Sequence, residues 1–308
     1  MYTEKSIAIV IPVYNEADAL RSNFLAIKAI LDADDIACRF MFVDDGSKDT
    51  TWSVLESLGK EFPEVGAVRF ARNFGKELAL CAGLDSIDAD LFVTMDSDLQ
   101  HPPKYIKPML ERMDAEGVNL VEGIKASRGT ETLKYKLVAK SFYKFLKWIT
   151  GLDMDNSSDF KVMDREVVES IRRFKERNLF FRGITNWVGF KRVSFPFEVE
   201  ERQGGNSHFS TAKLMLLAGN AILSYTSKPL YLTLFSGVLF LIFAIILGIQ
   251  TLFNYFSGHA ISGFSTVILL LLITGSMVML SLGIIGAYIS RIYEEIKDRP
   301  RYIISKKI

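Results

Sequence analysis

Cysteine is nearly absent from this chain: its 308 residues hold only Cys38 and Cys81. Thiols so few and so far apart build neither a disulfide framework nor a zinc knuckle, which leaves two reduced cytosolic thiols as the default reading. An excess of charge is missing too. Lys and Arg total 37 against 36 Asp and Glu, a formal net charge of +1, so bulk electrostatics gives no argument for nucleic acid. A secretory leader is not expected, because residues 6–13 form a short apolar run broken by Pro12 and followed by Asn15-Glu16. Charged residues are frequent up to about Arg202 and almost absent between Pro229 and Ser290. That last shortage divides the chain into a polar N-terminal part, long enough for a sizeable core, and an apolar C-terminal part.

In the polar part, strand and helix signals alternate. Residues 6–12 read as a buried strand and Val13-Tyr14-Asn15-Glu16 as the loop at its end. Ala17, Leu20, Phe24, Ile27 and Leu31 follow at helical spacing. Residues 39–43 read as a second strand ending in Asp44-Asp45-Gly46-Ser47, and residues 50–58 as a helix capped by Thr50 or Asp49. Residues 65–70 make a third strand, Arg72-Asn73-Phe74-Gly75-Lys76 a loop, and a helix runs on through Leu84. Residues 90–94 and 120–124 are further strands, the latter followed by the polar loop 125–129. The pattern predicts an α/β domain with a mostly parallel, Rossmann-like sheet covered on both faces. In such sheets ligands sit at the carboxyl ends of the strands, and the polar clusters of the N-terminal part fall at those ends.

The densest of these clusters is Asp96-Ser97-Asp98-Leu99-Gln100, which leaves the strand 90–94 and is stopped by Pro102-Pro103. Proline suits the first turn of a following helix. Two carboxylates one residue apart and an amide two further on offer three oxygen donors on one turn. That set suits a hard cation such as Mg²⁺ or Mn²⁺, which takes its other ligands from water and phosphate oxygens. An isolated Asp-x-Asp would be read as a solvated turn.

Residues 133–149 carry Lys134, Lys136, Lys140, Lys144 and Lys147 among Leu137, Phe142, Phe145, Leu146 and Trp148. The composition fits a helix lying in a membrane interface, and equally a soluble helix packed on the core. Residues 211–228 are a second interfacial candidate. Residues 230–253 and 264–289 are apolar and long enough, at about 1.5 Å per residue, to cross a hydrocarbon core of about 30 Å. The loop 254–263 has no Lys or Arg, whereas the tail carries Arg291, Lys297, Arg299, Arg301, Lys306 and Lys307. By the positive-inside rule the tail is cytoplasmic, and a two-helix hairpin returns the chain to the side of its N-terminal domain. The expected organisation is a cytoplasmic catalytic domain at 1–210, an interfacial helix at 211–228, and the hairpin with its tail at 229–308.

With Ile11-Pro12-Val13-Tyr14-Asn15-Glu16, Val43-Asp44-Asp45-Gly46-Ser47 and Asp96-Ser97-Asp98-Leu99-Gln100-His101-Pro102 on the page, the chain resembles glycosyltransferase family 2. More narrowly it resembles the polyprenyl-phosphate glycosyltransferases: dolichol-phosphate mannose synthases and bactoprenol glucosyltransferases. Asp159-Phe160-Lys161-Val162-Met163 is similar to that family's second aspartate motif, and Arg202-Gln203-Gly204-Gly205-Asn206-Ser207 to its basic glycine-serine loop. The two spans match the bacterial branch. The resemblance implies a GT-A fold, a nucleotide-sugar donor, Mg²⁺ or Mn²⁺, a polyprenyl phosphate acceptor and the inner membrane.

Carried onto this chain, the resemblance places Pro12, Tyr14 and Glu16, with Asp44 or Asp45, on the nucleotide base and ribose, where an ionised carboxylate accepts from hydroxyls and N–H groups. Lys76 and Lys125 would lie on the nucleotide-sugar side. Asp98 and Gln100 would hold the metal, with Asp96 beside them as metal ligand or catalytic group. Arg128, Arg202 and Ser207 would contact phosphate, and Asp159 would be the catalytic carboxylate near the acceptor. Lys125 stands where the family often has Arg, and His208-Phe209 where it has a basic residue then Tyr. The implied reaction is inverting transfer of a hexose to undecaprenyl phosphate for cell-envelope glycan modification. UDP-glucose is the first choice of donor, then UDP-N-acetylglucosamine, then GDP-mannose. A processive polysaccharide synthase would need more spans and a Gln-x-x-Arg-Trp motif, which the chain lacks. A membrane nucleotide-binding subunit without catalysis is the reading from another class, and the intact metal turn and Asp159 speak against it. Self-association through the transmembrane helices stays open.

Overall fold

The computed structural model describes residues 2–126, 157–176, 180–198, 226–257 and 263–308. The expected interfacial segment 133–149, nearly all of 211–228, and Arg128, Arg202, Ser207 and His208 lie outside the described residues. The chain forms two units, one of Met1–Phe209 with Arg299–Ile308 and one of Ser210–Asp298.

The first unit is built on one mixed sheet. Its strands are β1 (Ile7–Val13), β2 (Cys38–Asp44), β3 (Val65–Phe70), β4 (Leu91–Thr94), β5 (Leu120–Lys125), β6 (Ser157–Asp164), β7 (Arg192–Phe197) and β8 (Ile304–Lys307), in the order β7-β5-β6-β4-β1-β2-β3-β8. The pairs β1–β2, β1–β4, β2–β3 and β5–β7 are parallel. Helices α1 (Ala17–Ala33), α2 (Thr51–Glu61), α3 (Lys76–Ser86), α4 (Ile106–Glu116), α5 (Arg165–Arg172) and α6 (Phe181–Trp187) cover it. Every residue of β1 is buried, as a strand packed on both faces requires. Alternate residues go to opposite sides. Ile7, Ile9, Ile11 and Val13 pack with Leu20, Phe24, Leu55 and Leu110 from α1, α2 and α4, whereas Ala8 and Val10 pack with Leu80, Val167 and Ile184 from α3, α5 and α6.

Three strands, β6, β7 and β8, had no strand signal in the sequence, and β6 matters for the site. The motif around Asp159 forms β6, which enters antiparallel between β4 and β5. Thr94 Oγ1 at the end of β4 donates to the Asp159 carbonyl at 2.6 Å, which draws the motif to the same end of the sheet as the paired aspartates. Another is the tail. β8 pairs antiparallel with β3, and Ile308 exchanges two backbone hydrogen bonds with Ala67 at 2.9 and 3.1 Å. Tyr302 stacks on Phe70, ring centroids 5.1 Å apart, and its hydroxyl donates to Asp85 at 2.7 Å. Exposed Lys306 and Lys307 then face the outer edge, a common device against edge-to-edge pairing.

The second unit contains helices α7 (Lys228–Phe256) and α8 (Phe264–Ile296). Their stretches Lys228–Asn254 and Leu270–Ile296 have mean hydropathies of 2.7 and 2.2 and leave most of their apolar side chains exposed. By length and composition each is able to cross a membrane.

Helix α3 reaches the sheet closely because Gly83 has no side chain. A Cβ there would stand 2.2 Å from Val10 Cγ1 and 3.1 Å from Val43 Cγ2. Gly83→Ala is expected to destabilise the domain by about 1–3 kcal/mol, since the core around it is already filled. Thermal unfolding followed by circular dichroism checks this, and an unchanged melting temperature would contradict it.

Candidate active site

The loops that leave β1, β2 and β4 at their carboxyl ends are bonded to one another before any ligand is considered. Asn15 has a left-handed backbone (φ 53°), donates its N–H to Ser47 Oγ at 2.9 Å and accepts from Lys48 N–H at 2.8 Å. Glu16 N–H donates to Thr51 Oγ1 at 2.9 Å, and the Glu16 carboxylate accepts from Ser97 Oγ. Burial raises the Glu16 pKa, partly offset by that hydrogen bond. Asp45 accepts from the N–H groups of Phe74 (2.6 Å) and Gly75 (2.9 Å), which fastens the start of α3 to the second loop. The turn between them needs Gly46: its φ is +68°, and a Cβ would stand 2.4 Å from the Arg72 carbonyl carbon.

These loops form an open cleft lined by Pro12, Val13, Tyr14, Glu16, Asp45, Lys76, Asp96, Ser97 and Asp98. Tyr14 is 40% exposed at its wall, an open aromatic surface. Asp44 does not line the cleft. It is fully buried, accepts from Ser47 N–H at 2.8 Å and lies 3.2 Å from Arg69 Nε. Arg69 also donates to the Ser47 carbonyl at 2.7 Å, so Asp44 shapes the loop that presents Asp45.

On the turn after β4, Asp98 Oδ1 accepts from Gln100 N–H at 3.1 Å, and Leu99 takes φ 61° to let the chain fold back. Buried His101 accepts the Asp96 N–H on Nδ1 at 3.0 Å, and its ring lies parallel to Phe160 with centroids 5.2 Å apart. Burial pushes His101 down to about 4, which keeps the imidazole neutral and able to accept. Among the described residues no three carboxylate, histidine or cysteine groups converge. The donor set of this turn is therefore two carboxylates and an amide, short of a full shell for a hard cation and apt for one shared with phosphate and water.

Asp159 is 3% exposed and both its oxygens are engaged. Arg182 on α6 grips it through Nε (2.7 Å) and Nη2 (3.0 Å), and Lys76 Nζ lies 2.8 Å from Oδ2. The same ammonium lies 2.6 Å from Asp96 Oδ1. Burial by itself would raise the Asp159 pKa, but Arg182 and then Lys76 outweigh it and hold the carboxyl well below the usual range. Burial likewise opposes the charge on Lys76, and Asp159 and Asp96 overcome it, so the ammonium stays protonated. Lys125, at the end of β5, has its pKa lowered by burial and by the nearby charge of Arg182. Glu77, next to Lys76, accepts from Phe181 N–H at 2.6 Å, and burial pushes it up to about 7.

The structure thus brings Pro12, Tyr14, Glu16, Asp45, Lys76, Asp96 and Asp98 to one cleft, joins Asp159 to it through Lys76, and places Gln100 on the same turn. Arg182 was not expected from the sequence. Its signal was a lone basic residue inside the apolar run Leu179-Phe180-Phe181-Arg182-Gly183-Ile184, where an unpaired charge would be costly to bury.

A cleft at the carboxyl ends of a mostly parallel sheet, floored by a paired-aspartate turn and backed by a second, cation-bound aspartate, is that of a GT-A glycosyltransferase. The family model described as Glycosyl transferase family 2 matches residues 8–172, and the chain belongs to that family. It is 36% identical over 305 residues to the "Uncharacterized glycosyltransferase YkcC" of Bacillus subtilis (strain 168), covering 97% of this chain and 93% of that protein. It is 34% identical over 302 residues to the "Prophage bactoprenol glucosyl transferase homolog" of Escherichia coli (strain K12), covering 97% of this chain and 98% of that one. Among solved structures it is similar to mannosyl-3-phosphoglycerate synthase from Rubrobacter xylanophilus, with 18% identity, a TM-score of 0.47, and coverage of 71% of this chain and 72% of that one.

Arg182→Lys keeps the charge and loses the two-pronged grip on Asp159. It is expected to lower glycosyl transfer by about ten- to a hundredfold while leaving the fold intact. Single-turnover assays beside thermal melts check this; full transfer in the variant would contradict a positioning role for Arg182.

Proposed function

We propose that this chain transfers a hexosyl group, with inversion, from a nucleoside-diphosphate sugar to a polyprenyl phosphate, with UDP-glucose as the favoured donor and a divalent cation as cofactor. The observation that carries the reading is the ammonium of Lys76, held between Asp96 on the metal turn and Asp159 on β6. It stands where the charge of a departing diphosphate would meet an incoming phosphate. Relatives named bactoprenol glucosyl transferases match this chain over nearly its whole length, which supports a lipid phosphate as the acceptor.

The residues present fit a hard cation. Asp98 and Asp96 offer carboxylates and Gln100 an amide on one turn, and Asp98 opens into the cleft. When bound, the cation supplies charge neutralisation at the diphosphate. The chain's own groups do the rest. Tyr14 and Pro12 offer a wall for the base, and Glu16 and Asp45 are acceptors for ribose and base N–H groups. Lys76 and Arg182, with Lys125 near them, are fixed cations around the anionic reactants, preorganised because Asp159 holds two of them in place. A phosphate monoester has a second pKa of about 6, so the acceptor arrives largely ionised and needs no strong base. Asp159 suits that chemistry: its lone pairs are taken by Arg182 and Lys76, so it orients cations and carries no proton. Attack by the phosphate oxygen on the anomeric carbon, opposite the leaving diphosphate, inverts that centre.

The apolar helices α7 and α8 support a place in the inner membrane, where such an acceptor resides. The residues that follow α8 pair with β3 of the N-terminal sheet, which supports an even number of crossings. With the Lys and Arg of the tail, this favours a cytoplasmic catalytic domain and C-terminus. The domain limits 1–210, 211–228 and 229–308 belong to the same proposal, with Arg128, Arg202 and Ser207 as acceptor-phosphate contacts.

Nucleoside diphosphate release on mixing purified protein, each nucleotide sugar and a polyprenyl phosphate tests the reading. Release is expected only when donor and lipid phosphate are both present. Equal release without the lipid would overturn the acceptor, and no release with any donor would overturn the reaction. Asp98→Asn is expected to abolish metal-dependent donor binding, measured by calorimetry, with the melting temperature retained. Full turnover in excess chelator would rule out the cation.

A further inference from the structure

Trp187 closes helix α6, the helix whose other end supplies Arg182. It is 65% exposed, the largest exposure of any large apolar side chain among the described residues of the first unit, and equal to that of Leu234 and Phe235 on the apolar helix α7. A single exposed apolar side chain is ordinary on a protein surface; what distinguishes this indole is its surroundings. Its ring meets Phe174 edge-on, centroids 5.2 Å apart, so the two aromatics form one patch. The described residues give its indole N–H no hydrogen-bond acceptor. An indole with an apolar body and an unsatisfied donor suits a boundary that is greasy on one side and wet on the other.

Charge says which boundary. Arg173 and Lys175 flank Phe174 in sequence, and Lys191 lies four residues past Trp187. All three are exposed, and none forms an ion pair among the described residues. Between Arg172 and Arg192 the sequence holds seven Lys and Arg against the single acid Glu176, a net charge of +6 in a chain whose total is +1. Several of these have other work: Arg172 donates to the Leu84 and Ile87 carbonyls, Arg182 holds Asp159, and Arg192 approaches Glu122 at 3.9 Å. Among the described residues, Arg173, Lys175 and Lys191 are what remains to meet an outside anion.

We infer that Trp187, Phe174 and the exposed cations Arg173, Lys175 and Lys191 form a docking face for the anionic headgroup surface of the bilayer. Trp187 enters the headgroup level, and the cations attract anionic lipid around it. The far end of the same helix holds Arg182 on Asp159, so this contact would set the catalytic carboxylate at a fixed depth relative to the lipid surface. The inference rests on the membrane part of the reading above and not on the choice of sugar.

The test uses the full chain in nanodiscs of phosphatidylglycerol and phosphatidylcholine, with or without brominated acyl chains. Tryptophan emission of wild type minus that of Trp187→Phe isolates this one indole from Trp52 and Trp148. Brominated lipid is expected to quench that difference roughly twofold or more. Joint reversal by Arg173→Glu, Lys175→Glu and Lys191→Glu is expected to remove most of the quenching in anionic discs. An unquenched, red-shifted Trp187 signal would place the indole in water and overturn the inference. An unquenched but blue-shifted one would place it against protein and overturn it equally. Quenching that ignores both lipid charge and the reversal would overturn the role of the cations. Glycosyl transfer is assayed in the same discs: transfer without quenching defeats this face alone, and quenching without transfer from any donor defeats the proposed reaction alone.

Discussion

The ammonium of Lys76 lies 2.6 Å from Asp96 and 2.8 Å from Asp159, and Arg182 grips the other side of Asp159. Four parts of the chain, the start of α3, the turn after β4, strand β6 and helix α6, have to deliver these groups together. Lys76 begins α3, and that start is fixed by Asp45 accepting from Phe74 and Gly75. Asp159 is brought by β6, whose place beside β4 is secured by Thr94. Arg182 comes from α6, whose first residue, Phe181, donates to Glu77 one position past Lys76. A carboxylate as buried as Asp159 would neutralise itself if these cations were not in place. The cluster is therefore a condition on the fold itself.

Neighbouring parts of the first unit behave as supports for it. His101 is neutral because it is buried, and because it is neutral it can accept the Asp96 N–H and hold the turn after β4. Asp44 and Arg69 brace the loop that carries Asp45. Lys161, two residues after Asp159 and fully buried, pairs with Glu122 across β5 and β6. Such a pair contributes little net stability, since desolvation offsets attraction, but a wrong register would strand two charges. Register matters here, because a shift of one residue would turn Asp159 to the opposite face of the sheet.

The sequence showed the parts whose signal is local. β1, β2 and β3 stand out as apolar runs, and α1 by Leu20, Phe24, Ile27 and Leu31, all buried as their spacing requires. The paired-aspartate turn drew notice through the motifs that accompany it, since Asp-x-Asp by itself reads as a solvated turn. What stayed hidden depends on contacts far apart in the chain. Nothing in Asp159-Phe160-Lys161-Val162-Met163 says that it enters between β4 and β5 in the opposite direction. The tail Ile304–Lys307 carries two lysines and reads as a solvated end, and its strand exists only because β3 offers an open edge. Asp44 and Asp45 look alike in sequence, yet alternation along and beyond β2 sends one into the core and the other to the cleft. Lys76 lacked any distinguishing pattern, since its role comes from being 83 residues before Asp159 and close to it in space.

The near balance of charge over the whole chain conceals a separation within the first unit. Acids collect where β1, β2 and β4 end: Glu16, Asp45, Asp96 and Asp98 line the cleft with Lys76 as its only cation among the described lining residues. That side suits a ligand rich in hydroxyls and N–H groups, from which the carboxylates can accept. Bases collect in the stretch from the end of α5 to the start of β7, which includes Arg182 on Asp159. That side suits an anion. The two fields meet at Lys76, which touches an acid of each. A reaction that moves a neutral sugar between two phosphates needs such an arrangement. Both the leaving and the entering groups are anionic, and uniform acidity or uniform basicity would repel one of them or hold both too tightly to turn over.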